Sequence, residues 1–147
     1  LPSMSIGIKK WDSDHIALLD LIVTLQDSEE GNDPPEARKI ILETLIRYVD
    51  IHLASEEFVM KRLDYPKYDA HKSRHDEFRA WMKKLQATPL DSPDDWQRTI
   101  VADALLEWWY NHILKDDMGY KTFFDPRRAD ISDLLADYKG IQPPHPQ

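Results

Sequence analysis

Apolar residues recur at steps of three and four along four long segments of the chain, and this spacing predicts amphipathic helices. We predict these helices at Ser13 to about Ser28, Pro34 to about Leu63, about Tyr68 to Gln86, and Pro93 to a point between Lys115 and Gly119. The residues up to Trp11 are predicted to form an extended arm, in which Gly7 opposes an early helix start. Four such helices with short connections are typical of an all-α, up-down-up-down four-helix bundle.

Turn signals mark the ends of the predicted helices. Asp33, which precedes two prolines, is positioned to cap the second helix. Ser92 and Pro93 give a similar start to the fourth helix. Gly119 is positioned to accept a left-handed cap, so we expect the fourth helix to end close to it.

The C-terminal part of the chain, residues 125–147, extends beyond the bundle predicted over about residues 12–120. Its apolar positions predict a short extra helix from Asp130 to Tyr138, leaning on the outside of the bundle. The proline-rich tail that follows contains His145, to which we assign no role. A chain of 147 residues without repeats is expected to form a single domain.

Histidine and glutamate residues occupy several positions in the apolar stripes. Residues four apart share one face of a helix, so His71 and His75 can hold a metal ion between them, and His52 and Glu56 repeat the spacing. A carboxylate that faces a core is costly unless it is paired or bound to metal. The inward-facing candidates are His15, His52, Glu56, His71, His75 and His112. Together they exceed the needs of one metal ion and predict a dinuclear site inside the bundle.

The neighbours of these candidates are predicted to be mostly apolar or to face solvent. Glu57 turns about 100° away from Glu56 and is predicted to be solvated. Side chains one helical turn from the ligands are expected to keep the site dry. They are Leu18, Leu19, Tyr48, Val49, Phe78, Trp108 and Trp109. We expect no further acid, base or thiol beside the ligands.

The composition of the chain excludes several kinds of metal site and disfavours several kinds of partner. The chain contains no cysteine, which excludes disulfides, iron-sulfur clusters and thiolate metal sites. Its net charge of −8 disfavours nucleic acid and anionic membranes as partners. No apolar run approaches the roughly 18 residues of a membrane span, and no secretory signal is visible. We therefore expect a soluble, cytoplasmic protein. The sequence does not specify the oligomeric state, for which a monomer is our expectation.

Four sequence motifs resemble the hemerythrin family, and its single-domain bacterial members in particular. They are GIKKWDSDH, HLASEE, HKSRHDEF and HILKDDMGY. The resemblance implies two non-haem iron ions bridged by an oxo or hydroxo group, with dioxygen as a further ligand. It implies that His71, His75 and His112 hold one iron, that His15 and His52 hold the other, and that Glu56 and Asp117 bridge the pair.

This sequence departs from the family at Trp11 and Asp14, where an aliphatic residue and glutamine are more usual. One position also conflicts with regular helix geometry. Asp117 lies five residues after His112, about 140° away on an α-helix, whereas Asp116 would face the site. Following the resemblance, we expect the helix to end or distort after Lys115 so that Asp117 reaches the metals.

The ligand set favours reversible dioxygen binding over catalysis, because mostly neutral imidazoles stabilise highly oxidised iron less well than carboxylates do. We therefore expect an oxygen-binding protein for storage, transport or delivery, and not an enzyme, although weak oxidase activity is compatible with it. Its partner would be dioxygen and, for delivery, an oxygen-consuming enzyme. The alternatives are a di-iron oxidase or peroxidase, or an oxygen or redox sensor that acts through a partner.

Overall fold

The computed structural model describes residues 5–30, 34–87 and 96–138, without the side chains of residues 29–30, 35, 96–101 and 116–118. All the regular structure in these ranges is helical. The four long helices are α1 (Lys9–Glu30), α2 (Pro35–Arg62), α3 (Tyr68–Ala87) and α4 (Trp96–Asn111). None of the helices in these ranges has the length and apolar character needed to cross a membrane.

Side-chain contacts show that successive helices run in opposite directions, because residue numbers rise along one helix as they fall along its neighbour. The contacts are Trp11 with Ser55 and Asp14 with His52 between α1 and α2, Glu57 with His75 and Asp50 with Arg79 between α2 and α3, and His15 with Trp109 and Gln26 with Asp103 between α1 and α4. The prediction of an up-down-up-down bundle is therefore confirmed.

The first helix begins at Lys9, four residues earlier than predicted, so Trp11 lies within α1 and not in the arm. Asp12 explains the early start, since its carboxylate accepts hydrogen bonds from the Ile6 amide at 2.9 Å and the Ser5 hydroxyl at 2.7 Å. The arm therefore folds against the first turn of the helix. Gly7 has a φ of 82° there, a conformation that favours glycine.

The second and third helices lie close to their predicted limits. Pro34 precedes α2 and makes no side-chain cap, and the predicted cap at Asp33 lies outside the described residues. The predicted start of the fourth helix at Ser92 and Pro93 also lies outside them.

The fourth helix does not end where the sequence predicted. A π-helical turn over His112–Asp117 follows α4 and leads directly into α5, Met118–Phe124. Gly119 is therefore helical, and the predicted left-handed cap is wrong. Burial explains the continuation, because Tyr120 and Phe124 are 0% and 1% exposed and both fill the core.

The C-terminal helix α6, Arg128–Asp137, follows a single 3-10 turn and corresponds to the predicted extra helix. It packs against α2 and contributes Ile131, which is 0% exposed, to the core. It therefore fills part of the interior as well as covering the outside of the bundle.

The buried apolar residues form two clusters at opposite ends of the bundle. One contains Leu18, Leu45, Phe78, Leu105 and Trp109 among others. The other contains Trp11, Val59, Tyr120, Phe124 and Ile131 among others. The predicted histidine and glutamate residues lie between the two clusters, where every neighbouring helix turns its apolar face inward.

Candidate metal centre

Six of the seven predicted ligands come together in the interior of the bundle. Each is at most 3% exposed. They are His15 on α1, His52 and Glu56 on α2, His71 and His75 on α3, and His112 at the start of the π-helical turn. The four-residue spacings on α2 and α3 therefore direct both members of each pair to the same interior point, as the sequence predicted.

Glu56 stands at the middle of this cluster, and its two carboxylate oxygens face different histidines. Oε2 lies 3.3 Å from Nε2 of His71, 3.4 Å from Nε2 of His75 and 3.8 Å from Nε2 of His112. Oε1 lies 2.7 Å from Nε2 of His52 and 3.9 Å from Nε2 of His15. The cluster thus divides into a three-histidine group and a two-histidine group that share one carboxylate.

Within each group the candidate ligand atoms lie within 4.8 Å of one another. Imidazole nitrogens and carboxylate oxygens at this separation suit a first-row transition metal ion in each group. Nε2 of His75 supports this interpretation, since it is buried and makes no hydrogen bond within the part of the chain described here. A buried nitrogen in this condition is costly unless a further partner binds it.

The charges within the cluster stabilise one another. Burial raises the pKa of the Glu56 carboxyl, but the charge of His52 and hydrogen bonds from neighbouring histidines hold that pKa well below its usual value. Burial lowers the pKa of His52, but Glu56 and Asp14 together raise it to about 9. Glu56 is therefore an anion, as a bridge between two cations requires.

Two further carboxylates contact histidines of the cluster on the side of the ring that faces away from Glu56. Nδ1 of His52 donates a hydrogen bond to Oδ2 of Asp14 at 2.8 Å, and Nδ1 of His75 donates one to Oε2 of Glu57 at 3.1 Å. The prediction that Glu57 is solvated is therefore wrong. Its side chain is only 12% exposed, because α3 packs over it.

Tyr120, on α5, is a third residue whose contact with the cluster was not predicted. Its hydroxyl donates a hydrogen bond to Oε1 of Glu56 at 3.3 Å. Together with Asp14 and Glu57, it shows that the expected absence of further acids and bases beside the ligands is wrong. Tyr120 reaches the cluster only because the helix continues beyond the π-helical turn, which the sequence did not predict.

The predicted apolar surroundings of the cluster are confirmed for the residues closest to it. Trp109 packs edge-on against both His15 and His52, with 5.5 Å between ring centroids in each case. Trp108 stacks on His112 with centroids 4.8 Å apart. Leu18 and Phe78 are buried at 0% and 2% exposure. Leu19 and Trp108 are only partly buried.

Asp117, the seventh predicted ligand, is the last residue of the π-helical turn, and its side chain lies outside the described part of the structure. The backbone nevertheless bears on the conflict between Asp116 and Asp117. A π-helical turn joins residues i and i+5, whereas an α-helical turn joins residues i and i+4. The expected distortion is therefore present, and it begins at His112, before Lys115.

The sequence of this chain is similar to a known protein family and to several known proteins. The sequence model of a protein family, the Hemerythrin HHE cation binding domain, matches residues 6–124 of this chain. A bacteriohemerythrin of Pseudomonas paraeruginosa is 28% identical over 134 residues, which cover 91% of this chain and 84% of that protein. A bacteriohemerythrin of Methylococcus capsulatus is 31% identical over 113 residues, covering 74% and 82%.

A myohemerythrin of Theromyzon tessulatum is 30% identical over 119 residues, which cover 81% of this chain and 87% of that protein. The family match includes all four bundle helices and every predicted ligand position, and it ends before α6. The chain therefore belongs to the hemerythrin family, the family of the HHE cation-binding domain.

Proposed function

We propose that this protein binds dioxygen reversibly at a non-haem di-iron centre and so stores, transports or delivers oxygen. Membership of the hemerythrin family implies non-haem iron. The proposed ligands are His15, His52, Glu56, His71, His75, His112 and Asp117. An oxo or hydroxo group would complete the bridge between the two ions.

The observation that carries this proposal is the position of Glu56 between the two histidine groups. One of its oxygens is within 3.4 Å of His71 and His75, and the other is 2.7 Å from His52. A single metal ion would use only one of the two histidine groups. Two ions sharing a carboxylate use both groups, which favours a dinuclear centre.

Asp117 is proposed as the second bridging carboxylate. The π-helical turn supports this choice, because its wider turn brings the residue five positions after His112 closer to the face of His112 than a regular α-helix would. Single π-helical turns of this kind are frequent at functional sites.

Iron bound here would supply reversible binding of dioxygen, and the residues around it would limit other reactions. The two-histidine group has one histidine fewer than its neighbour, so we assign dioxygen to that side. Trp109 packs against both of its histidines, and Leu18 is fully buried nearby. These side chains exclude water, which protects ferrous iron from loss of an electron. The mostly neutral ligands act in the same direction, since they give little support to highly oxidised iron.

The proposal is tested by reducing the iron-loaded protein without oxygen, adding air, and then removing oxygen under vacuum or argon. We expect a visible absorption band that appears with air and disappears when oxygen is removed, over several cycles. An oxidase or peroxidase would instead convert to a stable ferric spectrum in the first cycle and consume reductant. That outcome would contradict the proposal and favour the hypothesis of a di-iron oxidase or peroxidase.

A role as a sensor, or in delivery to an oxygen-consuming enzyme, needs a partner. Both roles share the reversible binding proposed here, so a pull-down with the oxygenated and the oxygen-free protein distinguishes them from storage, which needs no partner. A partner retained by only one of the two forms would favour sensing over storage.

A further inference from the structure

Two carboxylates outside the proposed ligand set, Asp14 and Glu57, each contact a different half of the cluster. Asp14 accepts a hydrogen bond from His52, in the two-histidine group. Glu57 accepts one from His75, in the three-histidine group. In both cases the histidine uses Nδ1 for this bond and turns Nε2 toward Glu56.

We propose that Asp14 and Glu57 are positioning residues, each controlling one of the two metal positions and not the other. This inference rests on the proposed di-iron site. A carboxylate behind a ligand histidine fixes the ring in the orientation that presents Nε2 to the metal, and it makes the imidazole a stronger donor. Because each carboxylate contacts one histidine of one group, the two effects should be separable.

The surroundings of Asp14 favour a fixed carboxylate at this position. Asp14 is 3% exposed, and it also accepts a hydrogen bond from the Lys10 ammonium at 3.3 Å and one from the Tyr48 hydroxyl at 3.4 Å. Asp14 is therefore a buried carboxylate that two further contacts hold in place beside His52.

Glu57 is held in a different way, by a paired contact with a guanidinium group. Arg79 donates to both of its oxygens, at 2.6 Å from Nη2 and 3.2 Å from Nη1. Nε of Arg79 in turn donates to Asp50 at 2.7 Å. Two parallel bonds of this kind fix the carboxylate plane and so fix the ring of His75.

The test uses the metal-free protein titrated with Co²⁺ in the absence of oxygen. The visible spectrum of Co²⁺ reports its coordination, and the exclusion of oxygen prevents reactions with dioxygen from affecting the result. The wild-type protein should bind Co²⁺ at two positions. Loss of a partner behind a ligand histidine typically weakens metal binding by about 10- to 100-fold. We therefore expect Asp14→Ala to weaken one binding step by that amount and Glu57→Ala to weaken the other.

The His52→Ala variant, which lacks a proposed ligand of the two-histidine group, shows which Co²⁺ binding step belongs to which histidine group. In that background Asp14→Ala should change the remaining Co²⁺ affinity by about twofold or less, since its histidine is absent, whereas Glu57→Ala should still weaken it by about 10- to 100-fold. Equal losses from the two changes in this background would overturn the inference.

Matched controls separate positioning from a general loss of structure. Asp20→Ala and Glu43→Ala remove exposed carboxylates from the same two helices, α1 and α2, so Co²⁺ affinity should change by about twofold or less. Asp14→Asn keeps an acceptor oxygen for His52 and should recover part of the affinity lost in Asp14→Ala. Absence of any recovery would overturn the assigned hydrogen-bonding role.

The Co²⁺ titration distinguishes a failure of the proposed di-iron site from a failure of the positioning roles. If the wild-type protein binds fewer than two Co²⁺ ions, the dinuclear site itself is contradicted. If it binds two, and both alanine variants match the wild type in both steps while remaining folded by circular dichroism, only the positioning roles are overturned.

Discussion

Nε2 of His52 lies 2.7 Å from Oε1 of Glu56, one helical turn along α2. The same glutamate presents its other oxygen to His71 and His75 on α3, so this single contact joins the two histidine groups into one cluster. A buried anion is stabilised by hydrogen bonds and by nearby positive charge, and Glu56 accepts a hydrogen bond from the Tyr120 hydroxyl as well as contacting the five imidazoles. Bound metal ions would supply positive charge on both sides of this anion, so the metal content of the protein tests the proposed centre.

We predict that the protein purified from iron-replete cells contains two iron ions per chain, because each of the two histidine groups offers ligand atoms for one metal ion. Acid should release both, since each histidine must be neutral to bind. Elemental analysis against protein concentration, before and after dialysis at low pH, measures both effects. One metal per chain, or a predominance of zinc, would contradict the proposed di-iron centre.

We predict that Glu56→Ala prevents full iron loading, because it removes the carboxylate shared by the two groups. His71→Ala and His75→Ala should each lose iron, because each removes a proposed ligand of the three-histidine group. Glu43→Ala is the matched control, since Glu43 is an exposed glutamate on the same helix and should retain both irons. Iron analysis of the four variants after identical loading gives the comparison, and full occupancy in Glu56→Ala would show that this carboxylate does not bridge.

Helical spacing was sufficient to predict which ligand candidates face the interior. His52 and Glu56, and likewise His71 and His75, are four residues apart, and this relation within a helix does not depend on the neighbouring helices. All four are at most 1% exposed. The prediction of four long helices was correct for a similar reason, since each apolar stripe has the same period throughout its length.

Contacts between helices could not be predicted in this way. Glu57 was predicted to be solvated because it points away from Glu56 on α2, but α3 supplies His75 and Arg79 at that position. Asp14 likewise contacts His52 through the register of α1 against α2, which no local pattern specifies. The π-helical turn at His112–Asp117 was expected only as an unspecified distortion, because its residues carry no proline or other local signal for it.

The C-terminal helix gives a prediction about stability. Ile131 is 0% exposed and packs in the cluster that contains Trp11 and Tyr120, so Ile131→Ala should lower the free energy of unfolding by about 2–5 kcal/mol. Urea unfolding of the metal-free protein measures the change. Ile40→Ala serves as the control, because Ile40 is 61% exposed and its loss should cost about 0.5 kcal/mol or less. Equal effects of the two changes would show that α6 is not part of the cooperative core.

The last prediction concerns the two adjacent aspartates of the π-helical turn. A regular α-helix after His112 would direct Asp116 to the metals, whereas the turn over His112–Asp117 joins His112 to the residue five positions on. We therefore predict that Asp117→Asn weakens iron binding far more than Asp116→Asn does. Asparagine keeps the size of the side chain but removes the charge that holds two cations together. Iron content and the reversible spectrum measured on both variants decide the question, because retention of both in Asp117→Asn and their loss in Asp116→Asn would assign the bridge to Asp116.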